Sequence, residues 1–169
     1  MFGPEDDFFN KFGAIARLSL ALPLIGGGHT RFQPVFAGDV ANAVVAAIEG
    51  RTDEGKTYEL GGPEVKSFKE LMQLMLALIE RKRLLVSIPF ALAKLQASLL
   101  QLMPTPLLTP DQVELLRGDN VVSEAAIREG RTLEALGIDP MAMETVLPSY
   151  LWRYRKAGQY QSERTTFVV

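Results

Sequence analysis

Apolar residues recur at helical spacing along several stretches of the chain, and short β-like runs separate them. Phe8, Phe9, Phe12, Ile15 and Ala16 mark one face of a helix to about Leu20, opened by Pro4 and the carboxylates of Glu5, Asp6 and Asp7. Leu22–Ile25 reads as a short strand closed by Gly26-Gly27-Gly28, and Arg31–Phe36 as an extended segment. Asp39 is the predicted N-cap of an Ala-rich helix from Val40 to about Ile48. After a turn at 50–55, Lys56–Leu60 reads as a strand stopped by Gly61-Gly62-Pro63.

The second half is more helical. Ser67-x-x-Glu70 is a capping box, followed by Phe68, Leu71, Met72, Met75, Leu78 and Ile79 on one face. Arg81-Lys82-Arg83 ends that helix at its negative pole and reads as a solvated helix end. Arg83–Ile88 is strand-like, and Pro89 starts a helix to about Met103. Lys94, Ser98 and Gln101 make its narrow polar stripe, leaving a broad apolar face around Leu92, Leu95, Leu99 and Leu102. Pro104, Pro106 and Pro110 mark a loop before short helices at Pro110–Leu116 and at Glu124–Glu129, the latter capped by Ser123. Thr132–Leu136 is a turn closed by Gly137, and Asp139-Pro140 opens a last helix that Pro148 must kink or divide. The tail 159–169 lacks core periodicity and is expected to be loosely held.

Composition narrows the chemistry. With 169 residues, 47% hydrophobic and 22% charged, the chain is that of a folded domain. Its net charge of −2 offers no general basic field for nucleic acid. Zero Cys excludes thiolate catalysis and Cys-ligated zinc, and the single His29 leaves no histidine relay or His-based metal site; it reads as a loop residue. The acidic start is unlike a signal peptide, and the 84–103 stretch, though long enough to span a bilayer, is broken by Pro89, Lys94, Gln96, Ser98 and Gln101.

The candidate motifs are incomplete. Gly26-Gly27-Gly28 lacks the dinucleotide spacing, because the third fingerprint position is Arg31 and no helix follows; a turn explains it. Glu5, Asp6 and Asp7 are explained by a helix first turn without a metal. A Tyr-x-x-x-Lys pair needs Lys four residues after Tyr on one helix face. The positions four residues after Tyr58, Tyr150, Tyr154 and Tyr160 hold Gly62, Tyr154, Gly158 and Arg164.

The order of segments carries more information than any single site. Phe2-Gly3-Pro4-Glu5-Asp6, Leu24-Ile25-Gly26-Gly27-Gly28, Phe32-Gln33-Pro34-Val35-Phe36-x-x-Asp39-Val40-Ala41, Tyr58-Glu59-Leu60-Gly61-Gly62-Pro63 and Leu136-Gly137-Ile138-x-Pro140 together resemble the C-terminal half of extended short-chain dehydrogenases, the NAD(P)-dependent epimerase/dehydratase-like proteins. Thr30–Val35, Asp111-Gln112-Val113, Asp119-Asn120-Val121-Val122 and Pro148–Arg155 resemble the branch of Rossmann-type accessory subunits of respiratory complex I and their bacterial relatives. The resemblance covers roughly residues 2–160.

That resemblance implies an α/β fold, the mostly helical substrate-domain portion of a Rossmann-type protein over residues 1–158, with few short strands and the main nucleotide-binding sheet absent. It implies NAD(P) as cofactor of the full-length protein and none for this chain alone. Phe2, Gly3 and Pro4 would lie beside the nicotinamide end of the cofactor, and Arg31 and Gln33 would face the substrate cleft. No catalytic residue and no metal ligand is carried over. The partners implied are the missing N-terminal Rossmann half and complex I subunits, in a cytoplasmic or matrix-side setting peripheral to the inner membrane. Thr57–Leu60 would belong to the main sheet, so its loss of neighbours implies self-association of the chain. The alternatives are the substrate domain of a true NAD(P)-dependent oxidoreductase or nucleotide-sugar epimerase, which an upstream Tyr-x-x-x-Lys would reveal, and a stand-alone interaction module.

Overall fold

The computed structural model describes residues 1–101 and 109–158. The predicted helix end at Met103, the loop at Pro104 and Pro106, Leu102 of the apolar face, Tyr160 and the tail 159–169 lie outside the described residues.

Helix α1 (Asp7–Leu18) begins later than Pro4 predicts. Asp6 is its N-cap, its Oδ1 accepting the Phe9 N–H at 2.5 Å, while Pro4 sits in the preceding turn. Strand β1 (Ala21–Ile25) ends in a single 3-10 turn at Gly26–Gly28, where all three residues have positive φ; glycine is the residue that tolerates that run. β2 (Arg31–Phe32) leads to α2 (Ala37–Ile48), and β3 (Lys66–Ser67) pairs antiparallel with β2. The capping box of Ser67 and Glu70 is formed at the start of α3 (Phe68–Leu78). β4 (Leu84–Ile88) then runs parallel to β1, from Ala21 opposite Leu84 to Ile25 opposite Ile88.

The remaining helices are α4 (Phe90–Leu100), α5 (Pro110–Leu115), α6 (Glu124–Arg128), α7 (Met143–Val146) and α8 (Pro148–Leu151). Thr109 and Gln112 form a second capping box and Ser123 caps α6. Gly137 adopts the left-handed conformation that closes a 3-10 turn at Glu134–Leu136. The chain is thus α/β, helix-rich with few short strands.

Four expectations are corrected. Asp39 is not the N-cap of α2: Phe36 is, with Ala37 N–H donating to Phe2 O at 2.9 Å, so the helix starts earlier and Asp39 lies inside it, 4% exposed. Lys56–Leu60 forms no strand. Its polar groups pair with a loop instead, Glu59 N–H donating to Arg131 O and Arg131 Nη1 to Thr57 O. Asp139-Pro140 opens no helix, since α7 starts after Ala142; Pro148, in contrast, divides the last helical stretch into α7 and α8. Arg81 and Arg83 are half-buried and hold carbonyls of other elements, Arg81 Nε donating to Tyr154 O at 2.7 Å and Arg83 Nε to Ala16 O at 2.8 Å.

The main core lies between α1, α3, β1 and the α7–α8 pair, where Phe9, Leu22, Met72, Met75, Ile79, Leu147, Tyr150 and Leu151 are buried. Phe8 packs edge-on against Phe9, Phe12 and Phe68, extending that core along α1. A second cluster joins Val35, Ala43 and Ala46 to Leu133 and Leu136. The third places Ala93 and Ala97 of α4 against Ile25 and Val113. α4 therefore buries its small residues and leaves Leu92, Leu95 and Leu99 exposed.

Candidate functional site

The N-terminal residues of α1 and the loop before it form one side of a cleft. Phe2 is held as a short parallel bridge to Phe36: its N–H donates to Val35 O at 2.8 Å and its carbonyl accepts from Ala37. Its ring is buried, 5.8 Å from that of Phe36. Gly3 and Pro4 follow in the turn that Asn10 closes, its Nδ2 donating to Pro4 O at 3.1 Å and Asp6 O at 2.9 Å. A cleft of about 640 Å³ opens over Phe2, Gly3 and Pro4 and is lined by Glu5, Asp6, Asp7, Phe8 and Ala37. A smaller pocket of about 150 Å³ shares Met1, Phe2 and Phe8 with it and adds Phe32, Gln33, Pro34 and Asn120.

Phe2, Gly3, Pro4 and Gln33 thus border two adjoining cavities. Both ends of the Gln33 amide are engaged. Its Nε2 donates to Gly62 O at 2.8 Å and its Oε1 accepts from Val122 N–H at 3.0 Å, so it bridges two loops. Arg31 is directed elsewhere: it is exposed and forms an ion pair with Asp119, Nε and Nη2 both 2.8 Å from the one oxygen Oδ2. The Arg31 N–H also donates to Asp119 Oδ1, and these bonds hold the Asp119 carboxyl below its usual pKa. Arg31 is not part of the lining of either cavity.

The polar residue whose structural role the motifs do not reveal is Tyr150. Its hydroxyl donates to Asp6 Oδ2 at 2.6 Å, directly beneath the Gly3-Pro4 turn. Burial, then the hydrogen bond to Asp6, pushes the phenol well above its ordinary pKa. Four residues on, Tyr154 donates to Asn10 Oδ1 at 2.9 Å, and its ring packs against Gly13. A tyrosine that serves as an acid–base group needs a lowered pKa and a cation beside it; Tyr150 has neither a lysine at the fourth position nor a depressed phenol. The signal for this arrangement was the Tyr150/Tyr154 spacing, which places both rings on one side of a helical stretch.

The lining also bears on a dinucleotide. Phe2 and Pro4 offer an apolar surface suited to a nicotinamide ring, but the larger cleft carries Glu5, Asp6 and Asp7 and no basic side chain. A pyrophosphate would meet three carboxylates there, so these residues do not fit a whole dinucleotide. Among the described residues no group of three or more His, Asp or Glu side chains is arranged to hold a metal ion. None of their helices is long and apolar enough to cross a membrane.

No protein-family model matches the chain. Over 94% of its length it is 37% identical to NADH dehydrogenase (ubiquinone) 1 alpha subcomplex subunit 9 of Arabidopsis thaliana, a mitochondrial protein of which it covers 41%. The Mus musculus subunit of the same name is 30% identical over 96% of the chain and 42% of the relative. The 40 kDa subunit of mitochondrial NADH-ubiquinone oxidoreductase from Neurospora crassa is 26% identical over 95% of the chain and 41% of the relative. The chain thus spans about two fifths of the length of these curated relatives. The crystal structure of gox2253 shares the fold with a TM-score of 0.58 at 18% identity, over 92% of this chain and 47% of that one. Ordered motifs and near-complete coverage lead to one conclusion: the chain is homologous to about two fifths of these complex I subunits, which belong to the extended short-chain dehydrogenase/epimerase family.

Proposed function

We propose that residues 1–158 act as the C-terminal, substrate-domain portion of a Rossmann-type accessory or assembly protein of complex I, with a structural rather than catalytic role. The observation that carries this reading is the match to complex I subunits over about 95% of the chain. In the whole protein, Phe2, Gly3 and Pro4 would contact the nicotinamide end of NAD(P), the phosphates being held by residues outside this chain. Gln33 would shape the adjoining pocket by fixing the loops around Gly62 and Val122. The protein would work at the inner-membrane surface, on its cytoplasmic or matrix side.

The isolated chain is expected to bind NADPH negligibly and to self-associate, because the outer edges of β1 and β4 lack strand neighbours among the described residues. A tagged chain should co-migrate with NADH dehydrogenase activity on native gels of respiratory membranes. Migration apart from that activity would overturn the complex I reading. A fluorescence titration showing tight NADPH binding by the chain alone would overturn the cofactor part, and a clean monomer by light scattering the self-association.

A further inference from the structure

α1 and α3 finish, and β1 and β4 begin, at the same end of the molecule. The Leu84 N–H donates to Leu20 O at 3.1 Å, and Arg83 Nε reaches Ala16 O on the last turn of α1. Three leucines protrude from this end: Leu18 is 93%, Leu20 79% and Leu84 71% exposed, and Val86 continues on the Leu84 side of β4. They sit on the last residue of α1, the bend after it and the start of β4, and none lines the cavities described above.

The same end collects cations. Arg17, Arg81, Lys82 and Arg83 are grouped here, close enough that Arg17 and Arg83 add to burial in lowering the Arg81 pKa. Among the described residues, no carboxylate lies within ion-pairing distance of these four. Glu80, next to Arg81 in the chain, is engaged by Arg155 at 3.5 Å. Arg81 and Arg83 hold backbone carbonyls and are half-buried, whereas Arg17 and Lys82 are exposed. None of the four has a carboxylate partner among the described residues, so this rim is positive in a chain whose net charge is −2.

Protruding aliphatic side chains ringed by long basic ones suit an interface whose surface is negative and whose interior is hydrocarbon. A protein groove would require a matching concavity; a lipid surface requires only protrusion and positive charge. We propose that Leu18, Leu20 and Leu84, with Arg17, Lys82 and Arg83, form a docking surface for an anionic phospholipid membrane. The Leu side chains enter the headgroup–acyl boundary while the cations pair with lipid phosphates. The surface lies at the C-terminal end of α1, about 18 Å of helix from the cleft at its N-terminal end, so both can be used at once. It does not depend on the complex I reading.

The test is sedimentation of the chain with vesicles of phosphatidylcholine alone and of phosphatidylcholine with phosphatidylglycerol at about 3:1. Binding should favour the anionic vesicles by about tenfold or more and weaken with salt. R17A and K82A should each cost about fivefold, and the L20S/L84S pair more than tenfold, with circular dichroism unchanged. L92S/L95S, which removes exposed leucines of α4, should leave binding intact. Equal binding to both vesicles, or equal loss in L92S/L95S, would overturn the proposal. So would a dimer that L20S/L84S dissociates while vesicle binding is absent, which would assign the surface to a second copy.

Discussion

The Tyr150 hydroxyl lies 2.6 Å from Asp6 Oδ2, joining the last helical segment to the first across 144 positions of sequence. The same carboxylate caps α1 through its other oxygen, so one side chain sets both the start of that helix and the docking of α8. Replacing Tyr150 by Phe should keep the packing and remove the bond. The expected loss is about 1.5–3 kcal/mol, read from urea midpoints.

The raised Tyr150 pKa makes a separate prediction with a definite sign. In the unfolded chain the phenol loses its proton near 10.0, while in the folded protein it stays neutral well above that. Its contribution is fully present below pH 10 and lost as pH rises beyond it. Relative to Y150F, the parent chain should lose about 1.4 kcal/mol per pH unit above that point. Parallel alkaline stability curves for the two proteins would rule this out.

At the acid limb the sign reverses. Glu59 accepts the Ser123 N–H at 2.7 Å and its hydroxyl at 2.9 Å, and these bonds lower its pKa below the ordinary 4.5. The stability it confers is present above pH 4.5 and disappears as pH falls through the lowered value. E59Q should therefore lose less stability than the parent between neutral pH and the acid side of that value, as measured by thermal melts.

Two glycines should respond oppositely to alanine. A Cβ on Gly62 would stand 1.9 Å from Pro34 O, a backbone atom that cannot swing aside. G62A should cost about 3 kcal/mol or more, or leave the chain unfolded. Gly118 has open space around the same position and no positive φ, so G118A should be neutral or stabilise by up to about 1 kcal/mol. Melting temperatures of the two variants decide it.

Gln33 separates a structural from a ligand-contacting role. Q33L leaves Gly62 O and Val122 N–H without their partner, and should cost about 1–3 kcal/mol of stability. A variant of parent stability would mean that the bridge does not hold the loops, and would return Gln33 to the cleft as a free polar group.

Local features were legible in the sequence because neighbours in the chain decide them. The capping box of Ser67 and Glu70, the Ser123 cap, the glycine turn at Gly26–Gly28 and the helix division at Pro148 all form as read. Each is settled within a few residues, by a side chain reaching its own backbone or by a φ value. Asp39 misled because a good cap residue works as well inside the first turn, where its carboxylate receives Met141 N–H at 2.8 Å from a segment 102 positions away.

What depended on distant partners could not be read in this way. The Lys56–Leu60 run has strand composition, yet a strand needs a neighbour, and here Arg131 satisfies its backbone instead. Arg81 and Arg83 look like a solvated helix end until carbonyls of Tyr154 and Ala16 arrive beside them. The sequence by itself determined most of the helices, the Ser67 and Ser123 caps and, through ordered motifs, the family resemblance. Only the tertiary structure decided that β1 lies parallel to β4, that Tyr150 meets Asp6, that Arg31 turns away to Asp119, and that the leucines and cations share one end. Propensity and capping act through adjacent atoms, whereas pairing and charge clustering depend on which distant surfaces burial brings together.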